Sequence, residues 1–350
     1  MIVSEIVIGK KVIGAEQPTL IIAEAGSNHD RDLKQAKELI DVAAEAGTDV
    51  VKFQTFTAER IAARTDHQIM RLGAEYETAD HLYQLYQDLE LPRAWQQELS
   101  AYAGGKGLIF LSTPFDYPAV DQLEELGMPA YKIASFECID LPFLRYIARK
   151  NKPMIISTGM ANLGEIEEAL AVIKDEGNNE VALLHCGISY PMPVAEVNLA
   201  AIDTMQQAFQ LPVGYSDHTL GIAVPLAAVA RGARIIEKHF TLERNLPGPD
   251  HKFALEPPEL KAMVQGIREV EAAIGSPIKE RTATEEIHYQ RGRRSIFAVK
   301  DIPAGTVITE EMIRVLRPGI GLKPKYYELV IGRVARADIK ANQPITWEKI

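Results

Sequence analysis

Two short stretches carry the residue types that chemistry needs. Val213-Gly214-Tyr215-Ser216-Asp217-His218 and, about twenty residues on, Ile235-Ile236-Glu237-Lys238-His239-Phe240 each run from apolar residues into a polar cluster with one histidine. If each run is a β-strand, alternation places Ser216 with His218 on one face and Glu237 with His239 on one face. Neighbouring parallel strands would then aim both imidazoles into one pocket. Imidazole suits divalent transition metals, and a site with two protein ligands keeps positions open for substrate and water. Either histidine alone is better explained by a strand-end hydrogen bond. Recurrence of the pattern along the chain favours chemistry.

The elements that must position these residues follow one period. Apolar runs at 19–25, 49–54, 108–113, 130–135, 153–158, 181–186, 213–218 and 234–240 read as strands. Between and after them lie helical segments at 32–46, 78–105 (interrupted at Pro92), 117–126, 141–149, 163–175, 198–208, 221–231 and 258–273. The apolar continuity of the strands fits parallel strands buried on both faces. Eight strands alternating with eight helical segments predict an α/β fold, a (β/α)8 TIM barrel over residues 1–275. A doubly wound sheet is disfavoured, because no Gly-x-Gly-x-x-Gly follows the first strand. Residues 276–292 are polar, lack strand or helix periodicity and read as a linker. From 293 to 350, short β-like runs broken by Pro and Gly predict a small, mainly β domain.

Composition narrows the function. At 350 residues, with 47% hydrophobic and 25% charged residues, the chain reads as an ordinary globular protein. The net charge of −10, with no basic run, argues against nucleic acid and anionic membrane surfaces as partners. No apolar run reaches the roughly 18 residues of a membrane span. The start of the chain lacks the pattern of a secretory signal. Two cysteines, Cys138 and Cys186, have no metal-type spacing and read as reduced core thiols of a cytoplasmic protein.

Barrel chemistry sits at the C-terminal ends of the strands. Those ends read Glu24; Lys52 and Gln54; Thr113; Lys132 and Ser135; Ser157 and Thr158; His185; Ser216 and His218; Glu237 and His239. Buried lysines and glutamates are costly unless paired or functional. Lys52 and Lys132 supply positive charge, and Thr113, Ser135, Ser157 and Ser216 supply hydroxyl donors. Together they predict a pocket for an anion with several acceptor oxygens, a phosphate or carboxylate. His218 and His239 would hold the metal, and Glu24 could take a proton from an activated water. His185 reads as a core histidine. The loop Asn245–Lys252 leaves the eighth strand, and its Asp250 is placed to bind substrate hydroxyls. His251 in that loop reads equally as an assistant or as a solvated side chain.

Several of these stretches are specific enough to carry a resemblance. AEAGSNHD (23–30), DVVKFQTF (49–56), FLSTPFD (110–116), YKIASFE (131–137), GYSDHTLG (214–221), IEKHFTL (236–242) and GPDHKFALEP (248–257) resemble the sialic acid synthases, with their legionaminate, pseudaminate and spore-coat relatives. RRSIFAVKDIPAGTVIT (293–309) and LRPGIG (316–321) resemble that family's antifreeze-like (SAF) domain. The likeness implies a synthase that condenses phosphoenolpyruvate with the open-chain aldehyde of an N-acyl amino sugar such as N-acetylmannosamine. Water adds, phosphate leaves by C–O cleavage, and a nine-carbon 2-keto sugar acid results. It implies metal ligands at His218 and His239, with a divalent ion, Mn2+ or Mg2+ foremost, and a base at Glu24. Lys52, Thr113, Lys132, Ser135, Ser157 and Ser216 match the phosphoenolpyruvate pocket. Gln54, Tyr190 and Asp250 match the sugar site. Arg317 matches an arginine that reaches the partner's site in a domain-swapped homodimer. Ile188 stands where the family often has a polar residue, which predicts an acceptor other than plain N-acetylmannosamine. Two rival readings remain at this level. One is a metal-dependent aldolase or 3-deoxy-2-keto acid synthase using another aldehyde; the other is a carbohydrate-binding protein with an inert barrel.

Overall fold

The computed structural model describes residues 5–73 and 79–350 of the chain. Two compact units divide it, Met1–Gly275 and Ser276–Ile350.

The first unit opens on an antiparallel hairpin, β1 (Ile6–Ile8) and β2 (Lys11–Ile13). Eight parallel strands follow: β3 (Leu20–Gly26), β4 (Val50–Thr55), β5 (Ile109–Pro114), β6 (Tyr131–Ile133), β7 (Met154–Ser157), β8 (Val181–Cys186), β9 (Val213–Asp217) and β10 (Ile235–His239). Their order is β5-β4-β3-β10-β9-β8-β7-β6, so the last strand pairs with the first. The two ends of that series, β5 and β6, lie side by side and bring the barrel close to closure. This is the (β/α)8 architecture that the alternation predicts.

The local chemistry explains the elements. Every residue of β3 is buried, as a strand covered on both faces requires. The helix Leu33–Ala46 starts where the Asp32 carboxylate accepts from the Lys34 and Gln35 N–H groups, and stops at Gly47 in the left-handed region. Asn162 and Glu165 form a capping box at the start of Leu163–Asp175. The helical pattern expected over 78–105 begins at a residue outside the described ones. Its described part breaks at Pro92 into Leu82–Leu89 and Gln96–Gly105. β6 ends at Ile133, short of the expected 135, because Ser135–Glu137 winds into a 3-10 turn.

The hairpin was not expected. Ile6, Ile8 and Ile13 are buried in the same core as the strands, and Lys11 pairs with Asp49 at 2.5 Å, one residue before β4. It therefore packs at the N-terminal end of the barrel strands, opposite the chemistry.

In the second unit, the stretch read as a linker without helical periodicity contains a helix, Glu286–Gly292. It is too short and too exposed for an apolar stripe to mark it. Beyond it, β11 (Ser295–Ala298) pairs antiparallel with β12 (Ile313–Leu316) around a small core that includes Ile296, Ile308, Val330 and Ile345. No helix among the described residues is long and apolar enough to cross a membrane.

Candidate active site

The C-terminal ends of the barrel strands converge on one polar chamber. Among its lining residues are Glu24, Lys52, Gln54, Thr113, Lys132 and Ser135; Ser157, Tyr190, Ser216, Glu237, His218 and His239 complete the polar set. The sequence picked out all of these as rim or site positions. Strand alternation delivers them: in β10, Glu237 and His239 face inward while Lys238 faces out.

An ion-pair network forms the floor. Lys52 Nζ lies 2.8 Å from Glu24 Oε2 and donates to Thr113 Oγ1 at 2.9 Å. Lys132 Nζ donates to Ser157 Oγ at 2.7 Å and to the Ile133 carbonyl at 3.1 Å. Glu237 sits between the two ammonium groups, 3.7 Å from Lys52 and 3.5 Å from Lys132, and accepts from Ser216 Oγ at 3.0 Å. All four charged side chains are buried, so each depends on the others for compensation. Ser135 Oγ accepts the Gly159 N–H at 3.0 Å, which fixes it beside the lysines.

The same burial separates the two carboxylates. Burial pushes the Glu24 carboxyl up to about 7 against the pull of Lys52, with Glu237 adding to the rise. For Glu237 burial acts in the same sense, but Lys132 and Lys52 overcome it and hold the group down to about 2. Burial opposes charge on Lys52, yet Glu237 and Glu24 outweigh it and raise its pKa; for Lys132 burial prevails over Glu237 and lowers it. Two carboxylates with divergent environments are the usual preparation for one proton carrier and one fixed charge. Gln54 Nε2 donates to Glu24 Oε1 at 2.8 Å, aiming that carboxylate.

The imidazoles stand above this floor with ring centroids 5.3 Å apart. His218 Nδ1 donates to the Gly187 carbonyl at 2.6 Å, which leaves Nε2 with its lone pair. His239 Nδ1 is buried and has no hydrogen-bond partner among the described residues. Burial lowers His218 to about 4, helped by His239, and lowers His239 to about 3, helped by Lys52. Both rings are thus neutral at neutral pH, the form that ligates metal. An orphaned buried nitrogen and a second ring with a free nitrogen fit a divalent ion. Among the described residues no group of three or more His, Cys, Asp and Glu is placed to hold a metal ion; an ion held by the two imidazoles alone would keep positions for water and substrate.

Outward from the rings opens a second cavity of about 620 Å³. Ser27, Gln54, Glu137, Tyr190 and Asp250 give it polar contacts, and Phe56, Ile61, Leu82, Leu85, Leu89 and Ile188 form an apolar wall. Asp250 Oδ2 accepts from Ser27 Oγ at 3.1 Å and lies 3.6 Å from His239 Nδ1. Gly26 permits this approach: its φ is +54°, and a Cβ there would lie 2.8 Å from Asp250 Oδ2.

Three histidine and threonine candidates lie elsewhere. His185 bonds the Val197 carbonyl at 2.7 Å, away from the chamber, and Thr158 bonds the Leu184 carbonyl at 3.0 Å. His251 is not a solvated loop side chain: it is fully buried, 3.0 Å from Asp30 and 2.6 Å from Thr241 Oγ1. Arg317 belongs to the second unit and is exposed there, just past β12.

The profile of the NeuB family matches residues 39–279, and that of the SAF domain matches residues 293–350. The chain belongs to the NeuB family. It is 46% identical over 330 residues to the N,N'-diacetyllegionaminic acid synthase of Campylobacter jejuni, covering 93% of this chain and 98% of that one. Among solved structures it resembles the spore coat polysaccharide biosynthesis protein spsE of Bacillus subtilis, with a TM-score of 0.69, 41% identity and 99% of both chains covered. It also resembles the N-acetylneuraminic acid synthetase of Leptospira borgpetersenii in complex with citrate, with a TM-score of 0.74, 36% identity and 83% of this chain and 97% of that one covered. This NeuB-family chain is therefore a sugar-acid synthase, an enzyme of the transferase class.

Two residues of this NeuB-family site were underweighted in the sequence. Glu237 is legible as a rim residue, but not as the carboxylate that bridges both lysines. Glu137 lines the outer cavity with Oε2 buried and without a hydrogen-bond partner among the described residues. Its position in a 3-10 turn gives alternation nothing to phase.

Proposed function

We propose that this enzyme condenses phosphoenolpyruvate with the open-chain aldehyde of an N-acyl amino sugar, releasing phosphate and a nine-carbon 2-keto sugar acid. The observation that carries the reading is the pair of lysines, Lys52 and Lys132, flanked by four hydroxyls and divided by Glu237 directly beneath two neutral imidazoles. A dianionic phosphate with a neighbouring carboxylate is the ligand that such a floor suits. Lys52, Lys132, Thr113, Ser135, Ser157 and Ser216 bind those oxygens, and Glu237 keeps the ammonium groups charged and separated.

In the reaction, C3 of phosphoenolpyruvate forms a bond to the aldehyde carbon, whose oxygen takes up a proton. Water adds at C2, and the bond from C2 to the phosphate oxygen breaks. Glu24 accepts the water's proton; its carboxyl near 7 balances basicity against availability at physiological pH. Gln54 holds Glu24 in aim. A divalent ion at His218 and His239, Mn2+ or Mg2+, would polarise the aldehyde oxygen and lower the pKa of a bound water.

The acceptor lies in the outer cavity, with Gln54, Tyr190 and Asp250 on its hydroxyls. The apolar wall from Ile61 to Ile188 favours a sugar that bears methyl and acyl groups where N-acetylmannosamine has hydroxyls, and the legionaminic acid synthase relative supports this choice. Arg317 completes the site of a second copy in a swapped dimer.

The test follows phosphate release and 2-keto acid formation together. Metal-reconstituted protein is given phosphoenolpyruvate with N-acetylmannosamine or with diacetamido-trideoxyhexoses. Sugar-dependent formation of both products, abolished by chelator, supports the reading. Formation of the 2-keto acid from pyruvate supplied in place of phosphoenolpyruvate, with no phosphate released, would replace it with an aldolase.

A further inference from the structure

Between the two imidazole-bearing strands, on the face turned away from the chamber, lies a second pair of charges. Lys238 Nζ is 2.6 Å from Asp217 Oδ2, and both side chains are completely buried. The two residues are direct partners in the ladder between β9 and β10. His218 and His239 each follow one of them by a single residue.

The contacts go beyond a simple pair. Asp217 Oδ1 accepts the Thr219 N–H at 2.9 Å, closing a loop around the backbone of His218. Lys238 also donates to the Thr219 carbonyl. The groups on either side of His218 are therefore tied to one ammonium, carried by the residue just before His239. A fully buried ion pair is poor evidence for stability, because apolar replacements of similar volume are often neutral or better. Its best-attested use is to fix register, and here the register determines where two rings point.

We propose that the Lys238–Asp217 pair is a positioning clamp that sets the separation and aim of His218 and His239 for a shared divalent cation. The clamp rests on the reading of those histidines as metal ligands. Neither Lys238 nor Asp217 reaches the metal or the substrate; they act through the backbones of their neighbours. Groups that orient metal ligands typically change affinity by about 10- to 100-fold when replaced.

The experiment titrates Mn2+ alone, by calorimetry, into chelator-stripped wild-type chain and into the double variant Asp217→Leu/Lys238→Met, with thermal unfolding measured in parallel. The expected result is a folded double variant, with a midpoint within a few degrees of wild type, that binds Mn2+ at least tenfold more weakly. Unchanged Mn2+ affinity in the folded double variant overturns the clamp and leaves the metal site standing. If wild type takes up no Mn2+, the metal reading falls and the clamp falls with it. Should the double variant not fold, Asp217→Asn decides. It keeps the volume and removes the charge, so a loss of threefold or more supports the clamp and an unchanged affinity overturns it.

Discussion

Glu24 and Lys52 lie 2.8 Å apart on neighbouring strands, both almost without exposure, yet burial still pushes the Glu24 carboxyl up to about 7. A close ion pair normally holds a carboxylate down. Here burial outweighs the pull of Lys52, and Glu237, 3.7 Å from the same ammonium, adds to the rise. Such a carboxyl is suited to exchange a proton.

The Glu24→Gln variant should fold normally and lose about 10²- to 10⁴-fold in kcat, the usual contribution of a general base. Phosphate release at saturating substrates measures it. In the wild type the base works deprotonated, so kcat/KM should climb as pH rises through about 7. A flat profile from pH 5 to 8 would remove Glu24 from that role.

Glu137 should act on stability with the opposite appearance. Burial raises its carboxyl from 4.5 to about 7, so between those values the folded chain holds a proton that the unfolded chain has released. Its contribution is fully present below 4.5 and is lost as pH rises towards 7. Urea midpoints should show a shallower decline over that window in Glu137→Gln than in wild type. The same variant should raise KM for the sugar more than KM for phosphoenolpyruvate, because the side chain faces the outer cavity.

Ile188→Thr should shift acceptor preference. A hydroxyl in the apolar wall favours a more hydroxylated sugar, and discrimination of this kind amounts to about 10- to 100-fold in kcat/KM. Comparing N-acetylmannosamine with a diacetamido-trideoxyhexose in both proteins reads the change. Equal ratios would separate Ile188 from specificity.

Arg317→Ala should abolish turnover while leaving the thermal midpoint of the chain in place, since the side chain is exposed in its own unit. On the proposed swapped dimer, mixing it with Lys52→Ala chains should restore a fraction of wild-type activity, because one site of each mixed dimer would draw intact groups from both copies. Absence of any recovery in verified mixed dimers would count against contact in trans.

Much of the barrel was legible because parallel strands buried on both faces leave long apolar runs, and because Asp32 and Gly47 punctuate the intervening helix by local chemistry alone. The chamber was legible for a related reason: Lys52, Lys132 and Glu237 are costly residues in apolar strands, and period-two alternation phases them. Phasing fails where the strand stops. Glu137 sits in a turn, and His251 in a loop whose Pro and Gly content gives no sign of burial. The hairpin of β1 and β2 is not legible, because two three-residue strands make too short a pattern. Its role depends on Ile6, Ile8 and Ile13 meeting a core that the rest of the chain builds.

With that hairpin packed at the N-terminal end of the strands, the polar chamber is approached from their C-terminal end, through the outer cavity. On the proposed reaction, the substrates would queue: phosphoenolpyruvate would have to reach the lysine floor before a sugar occupied the space above, and a seated sugar would then prevent its escape. The catalytic cycle should accordingly show compulsory order, with the sugar unable to bind productively first. Product-inhibition patterns against each substrate report that order, and random addition would mean that the mouth is wider than one traveller at a time.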